Sequence, residues 1–324
     1  MGAGRHTRAL IGCVLLAAAG AAGFWRLAPS PLFSAPQSAV LLARDGTLLG
    51  ARIAADGQWR FPELERVPEK YRAALLTFED KRFERHFGID PLAVARAVRL
   101  NVQQRRVVSG ASTITMQLAR LSRAPRSNGE GGDRFRNRGL GSKLVEAALA
   151  LRIETGYSKD EILALYASHA PFGGNVVGLE AASWRYFGRE PAALSWAEVA
   201  TLAVLPNQPA LVTPGRNRSR LQAKRDALLQ RLHAGGHLDA MDLEAALAEP
   251  LVGAPLALPD DAPHLLETLR RRHPTQHRFA STLDAGLQRN ATAVVAAHSR
   301  ELARQGIHNA AALVVDHRSF EVLA

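Results

Sequence analysis

Two proline-rich segments bracket most of this chain and decide how it can be divided. Pro29 to Pro36 carries three prolines and two serines, and Pro250 to Pro263 carries four prolines. Proline lacks a backbone donor and disfavours helix at the residue before it, so both segments read as linkers. Between them, apolar residues recur at helical spacing in segment after segment, which predicts a mainly α fold. Helices are expected from Pro68 to about His86, with Tyr71, Leu75 and Phe78 in step, and from Leu92 to Val102. Ser112 is placed to cap a helix from Thr113 to about Leu121, and Lys143 to Glu154 forms another. Ser158, with Glu161 three residues on, opens a helix through Tyr166, and Ser195-Trp196-Ala197-Glu198 reads as a capping box before a buried helix to Leu205. Arg220 to Leu232 and Met241 to Ala248 complete the helical set. Asp45-Gly46 between apolar stretches marks a hairpin over Ala39 to Ile53. Pro125 to Gly141, with five glycines and four arginines, is expected as a mobile loop. Past the second linker, strands at Phe279 to Leu283 and Ala310 to Val315 flank a helix from Ala285 to about Arg304.

The N-terminus adds a topological constraint. Ala9 to Trp25 contains no charged residue, follows Arg5 and Arg8, and precedes Arg26. Its 17 residues match the short end of a membrane span, about 17–25 residues. The two arginines predict a cytoplasmic N-terminus, with Trp25 at the far interface and the bulk of the protein outside the cytoplasm. A cleaved secretory signal is the alternative, since Ala19-Gly20-Ala21 and Ala21-Ala22-Gly23 are small enough to be cut. Cys13 is the sole cysteine, which excludes an intrachain disulfide or a cysteine-based metal site. Leu10-Ile11-Gly12-Cys13 superficially looks like a lipoprotein cleavage site, but most of the apolar run follows Cys13 instead of preceding it. The net charge of +11 calls for an anionic partner: nucleic acid, a lipid surface or a phosphorylated substrate. No zinc-finger spacing or RNA-binding aromatic signature supports nucleic acid.

The candidate chemistry centres on Glu79 and Asp80. They lie among Phe78, Phe83 and Phe87, where a carboxylate held against apolar surface becomes a candidate general base. On a continuous helix Glu79, Phe83 and His86 share a face; the plainer alternative is a solvated surface helix over an aromatic stripe. Gly110-Ala111-Ser112-Thr113 opens a helix whose unpaired N–H groups suit a phosphate, although an ordinary N-cap looks the same. Lys143 and Glu146 stand three apart on one face, as a phosphate contact and an acid or as a helix-stabilising ion pair. From Arg105 to Lys143 there are nine Lys/Arg against two Asp/Glu, a basic frame for a diphosphate or an ordinary solvated surface.

Taken together, these stretches resemble the peptidoglycan glycosyltransferase module (glycosyltransferase family 51) of class A penicillin-binding proteins. The family's first motif, Glu-Asp-x-x-Phe-x-x-His-x-Gly, is matched by Glu79, Asp80, Phe83, His86 and Gly88, and its second runs from Gly110 to Leu118. In the third, Arg-Lys-x-x-Glu, Lys143 and Glu146 match but Ser142 replaces the arginine. In the fourth, Lys159, Ile162, Leu163 and Tyr166 match, while Ala167-Ser168 replace Leu-Asn. Ala170-Pro171-Phe172-Gly173-Gly174 and Ala182-Ser183-Trp184 look like the 1C type. The resemblance spans about Asp45 to Leu232. The tail from Thr282 resembles the opening of the family's transpeptidase domain, without its Ser-x-x-Lys or Lys-Thr-Gly.

The resemblance implies a lysozyme-like, two-lobed, mainly α domain behind a transmembrane helix, with the site in a cleft and a short α/β remnant at the C-terminus. The expected divisions are 1–26 for the anchor, 27–56 for linker and hairpin, 57–249 for the glycosyltransferase, 250–278 for a linker and 279–324 for a truncated transpeptidase start. The implied reaction polymerises lipid II with inversion at the sugar and release of undecaprenyl diphosphate, and no transpeptidase activity is expected. Glu79 would be the general base and Glu146 the second essential acid. Asp80, Phe83, His86, Gly110, Ser112, Thr113, Gln117, Arg120 and Lys143 are the candidate substrate-binding or positioning residues. A divalent cation, Mg²⁺, at Glu146 is chemically admissible, and no cofactor is otherwise required. The implied partners are lipid II, the growing glycan strand, the inner membrane and other cell-wall synthesis proteins. Two other readings stay open: a catalytically weakened cell-wall scaffold, which Ser142 and Ser168 favour, and a lysozyme-like hydrolase, which would need no diphosphate frame.

Overall fold

The computed structural model of the protein describes residues 23, 31–106, 110–123, 140–206 and 217–324. The expected anchor at Ala9 to Trp25 lies outside them apart from Gly23, as do Cys13 and nearly all of the expected loop at 125–141. Among the described residues, no helix is long and apolar enough to cross a membrane. The described chain is mainly helical, as the apolar spacing predicts, and forms two compact units.

The first unit gathers Glu65–Val67 and Arg72–Ala167. Helix α1 (Glu69–Glu79) buries Tyr71, Ala74 and Leu75 at the i, i+3, i+4 spacing of one face. It stops at Glu79 instead of continuing to His86, and the chain turns through a short 3₁₀ segment, Phe83–Arg85. Phe83 and His86 therefore do not extend the helical face of Glu79. Helix α2 (Pro91–Gln104) has proline in its first turn, where no donor is missed, and is capped by Asp90, which accepts from the N–H groups of Leu92 and Ala93. Helix α3 (Ile114–Ser122) begins one residue later than expected. Thr113, not Ser112, is its cap, because the extended Thr113 backbone lets Oγ1 accept from the Met116 N–H at 3.1 Å. Helices α4 (Leu140–Glu154) and α5 (Lys159–His169) follow, the latter opened by a reciprocal Ser158–Glu161 box. α3 and α4 pack together, burying Ile114, Leu118 and Ala119 on one and Leu149, Ala150 and Ile153 on the other.

The second unit gathers Pro36–Leu64, Pro68–Tyr71 and Ser168–Ala324. Strands β1 (Ala39–Leu42) and β2 (Leu48–Arg52) form the expected antiparallel hairpin. Gly46 takes φ +86° in its turn and Asp45 accepts from the Thr47 N–H. β3 (Trp59–Arg60), β4 (Pro171–Gly173) and β5 (Val176–Val177) make a second small sheet. Helix α6 (Leu179–Phe187) leads to α7 (Trp196–Val204), which carries the expected capping box and is buried from Ala197 to Val204. Helices α8 (Arg218–Ala234) and α9 (Ala240–Ala248) follow. The expected linker at 250–278 contains helix α10 (Pro263–Arg272), and strand β6 (Arg278–Ala280) pairs in parallel with β1. Leu41, Leu49, Leu266, Phe279 and Leu283 share one core, so the N-terminal hairpin is sealed by residues more than two hundred positions later. No local signal announces such a pairing. After helix α11 (Ala285–Leu302), the strand expected at Ala310 to Val315 is reduced to a bridge between Val315 and Val322. Residues 310–313 are exposed and find no ladder partner among the described residues, which a strand requires. In this unit Tyr186 donates its hydroxyl to the Phe172 carbonyl, and burial pushes its phenol up to about 12 against the pull of Arg185.

Two substitutions probe the first unit. Burial opposes the charge of Asp90, but the Arg82 side chain and the α2 N–H groups outweigh it and hold the carboxyl below its usual 3.8. A lowered acid contributes stability above its unfolded value that is lost as pH falls through the folded value. Asp90→Asn should therefore cost about 2 kcal/mol near neutrality, with the gap in thermal stability closing below about pH 3.8. Gly88 has φ +72°, and a Cβ there would sit 2.9 Å from the Ala150 carbonyl. Gly88→Ala should cost about 3 kcal/mol by strain and overlap together, read as a lower midpoint in chemical denaturation.

Candidate active site

The site is built along one face of α3. Ile114, Gln117 and Arg120 stand three residues apart, and each meets a different acid. The Ile114 N–H donates to Asp80 Oδ2 at 3.2 Å, Gln117 Nε2 to Glu79 Oε2 at 2.8 Å, and Arg120 to both oxygens of Glu146 at 3.0 and 3.1 Å. The N-terminal backbone of α3 meets Asp80, while the side chains of Gln117 and Arg120, three residues apart on one face, meet Glu79 and Glu146.

The adjacent acids Glu79 and Asp80 have different fates. Asp80 is only 7% exposed and also meets His86 Nε2 at 3.0 and 3.1 Å. A carboxylate accepts only, so Nε2 carries the hydrogen. Buried His86 Nδ1 has no hydrogen-bond partner among the described residues. The partial positive charge at the start of α3 favours an anion, and here that anion is Asp80. Two of the N–H groups at this helix start are thus engaged within the protein: the Ile114 N–H serves Asp80 and the Met116 N–H serves Thr113. Thr113 donates its own hydroxyl to the Gly88 carbonyl at 2.6 Å, tying α3 to the close approach of Gly88 and Ala150. Asp80, His86 and Thr113 are therefore committed to internal contacts. Glu79, in contrast, is half-buried at the end of α1.

Phe83 is fully buried, with its ring 6.1 Å from His86 edge to face and Lys159 Nζ 4.2 Å above it. Lys159 also donates to Glu154 and to the His86 carbonyl, both at 2.7 Å, and Thr115 donates to the same Glu154 oxygen. This network of Lys159, Glu154 and Thr115 was not singled out from the sequence. The fourth motif contained Lys159, but spacing alone does not show which carbonyl an ammonium reaches. Tyr166, from the same motif, donates its hydroxyl to Gln117 Oε1 at 3.1 Å.

Lys143 and Gly110 are exposed and Ser112 is half-buried. Glu146, 3% exposed, is gripped from α3 by Arg120, so its partner comes from another helix and not from the i, i+3 pairing that spacing suggests. Both its oxygens are engaged, and among the described residues no group of three or more His, Cys, Asp or Glu could hold a metal ion. Ser168, which departs from the family pattern, belongs to the second unit. It is buried, and its hydroxyl accepts from the Leu64 N–H at 2.9 Å, a structural role of its own.

Comparisons with known proteins agree with this reading of the motifs. Penicillin-binding protein 1C of Escherichia coli is 37% identical over 311 residues, covering 95% of this chain and 38% of that protein. Penicillin-binding protein 1A of Aquifex aeolicus is 36% identical over 191 residues, covering 59% of this chain and 25% of that protein. The chain thus spans well under half the length of these relatives. A crystal structure of penicillin-binding protein 1A from Haemophilus influenzae covers 88% of this chain and 32% of that one at 18% identity, with a TM-score of 0.36, too low for the likeness to decide the fold. Residues 46–233 match the family model described as Transglycosylase. That match takes in every motif from Glu79 to Tyr166, and the chain belongs to the transglycosylase family of class A penicillin-binding proteins, similar to the 1C type.

Proposed function

We propose that this protein is a peptidoglycan glycosyltransferase that polymerises lipid II, with Glu79 as general base. The observation that carries the reading is the split between the two adjacent acids: Asp80 is spent on α3 and His86, while half-buried Glu79 meets an amide donor. An amide donor aims the carboxylate, and a fixed orientation is what proton removal needs. The 4-hydroxyl oxygen of the acceptor sugar bonds to the anomeric carbon of the donor as the bond from that carbon to the lipid diphosphate breaks. The hydroxyl proton passes to Glu79, and attack from the face opposite the leaving group inverts the centre. Charge develops on the departing diphosphate. Exposed Lys143, and the Arg120 donors not used on Glu146, are the cations of this unit best suited to meet it. Asp80, His86 and Thr113 act by holding α3 against the end of α1.

A membrane setting suits a lipid-linked substrate. In support, α2 leaves Val94, Val98 and Val102 exposed at i, i+4, i+8 spacing, an apolar stripe on a helix that also exposes Arg96 and Arg99. The apolar N-terminal segment would anchor the chain in the inner membrane with its bulk outside the cytoplasm.

The test is polymerisation of fluorescent lipid II by the detergent-solubilised chain beside Glu79→Gln. Glycan strands are expected from the wild type, with a fall of about 10²-fold or more in the variant. Strands made equally by both would remove Glu79 as base. No strands from a folded wild-type chain that still binds lipid II would favour the scaffold reading, and cleavage of finished glycan would favour the hydrolase. Ser142 stands where the family carries arginine, so Ser142→Arg is expected to add a phosphate contact and raise donor affinity or rate. An unchanged rate and affinity would show that the missing guanidinium does not matter here.

A further inference from the structure

Behind Glu79 the first unit holds a two-bond chain. The Tyr166 hydroxyl donates to Gln117 Oε1 at 3.1 Å, and Gln117 Nε2 donates to Glu79 Oε2 at 2.8 Å. Tyr166 is 1% exposed, whereas Gln117 and Glu79 are half-buried. The two ends of a glutamine amide have almost the same shape and opposite hydrogen-bonding character. An ionised carboxylate only accepts, so the amide must turn its NH₂ toward Glu79. Its oxygen then faces Tyr166, whose hydroxyl can rotate to donate. The carboxylate thereby sets the orientation of the amide, and the tyrosine hydroxyl, by donating to the amide oxygen, holds the far end of that amide in place. With the amide reversed, its oxygen would face the carboxylate, and contact would require Glu79 to carry a proton of its own.

We infer that Tyr166 is a positioning residue for the transfer reaction: through Gln117 it holds the Glu79 carboxylate aimed for accepting a proton. The inference rests on Glu79 being the base. In this arrangement the Tyr166 hydroxyl reaches Glu79 through the Gln117 side chain. A donor to a carboxylate favours the charged form, so losing the fixed donor makes Glu79 hold its proton to higher pH.

The experiment measures initial rates of lipid II polymerisation by the full detergent-solubilised chain, over pH and substrate concentration. The variants are Tyr166→Phe, Gln117→Leu, the double variant and Glu79→Gln. Phenylalanine keeps the buried ring and deletes only the hydroxyl. For Tyr166→Phe the expected result is a fall of about tenfold in kcat with KM unchanged, and an acid limb of the pH–rate profile displaced to higher pH. Gln117→Leu should shift the same limb. If the hydroxyl works through the amide, adding Tyr166→Phe to Gln117→Leu should cost little more. An active wild type and an inactive Glu79→Gln, together with an unshifted profile for Tyr166→Phe, overturn this inference and leave the proposed function standing. So does an equal loss from Tyr166→Phe in both backgrounds. A wild type that makes no strands, or a fully active Glu79→Gln, removes the base assignment and this inference with it.

Discussion

The contact on which the first unit depends is the carboxylate of Asp80 at the N-terminus of the helix Ile114–Ser122. A buried carboxylate is costly unless its lone pairs are met. Here a helix N–H and the His86 imidazole meet them, in a place where the helix dipole already favours negative charge. Because Asp80 follows the last residue of one helix and Ile114 is the first of another, this contact sets the register between the two. Gln117, one turn further along, is then brought to Glu79. The burial of Asp80 thus brings Gln117 to the neighbouring Glu79.

The same principle of satisfied charge governs the surrounding frame. Lys159 finds Glu154, the His86 carbonyl and the face of Phe83 together, so its ammonium is met on several sides and the turn after Glu79 is pinned. Arg120 grips Glu146 with two parallel bonds, the arrangement suited to a planar guanidinium. Gly88 admits the Ala150 backbone where no side chain would fit, and the Thr113 hydroxyl closes on its carbonyl. The polar groups of the motifs serve mostly as ties between helices.

Much of the helical framework was legible from local patterns. The Ser195–Glu198 capping box, the Asp45-Gly46 hairpin and the buried run to Val204 appear where spacing placed them, because caps and turns are decided by neighbours within a few residues. Errors fall where a distant partner intervenes. The first helix stops at Glu79 because the next residue serves another helix. Thr113 displaces Ser112 as cap because its hydroxyl answers both Met116 and Gly88. Glu146 turns from a local lysine to a distant arginine. The pairing of Ala39–Leu42 with Arg278–Ala280 left no local trace, since a parallel neighbour can come from anywhere in the chain.

The sequence by itself determined the helical class, the ends of most helices and the family, because residue spacing and capping chemistry are local and the motifs are written in order. Only the tertiary structure decided which partner each acid meets. Glu79 and Asp80 are side by side in the chain, yet the fold buries Asp80 against Ile114 and His86 and leaves Glu79 half-buried against Gln117. It also decided that Tyr166 stands behind Gln117, a relation between positions 49 residues apart that exists only once helices Ile114–Ser122 and Lys159–His169 are brought together.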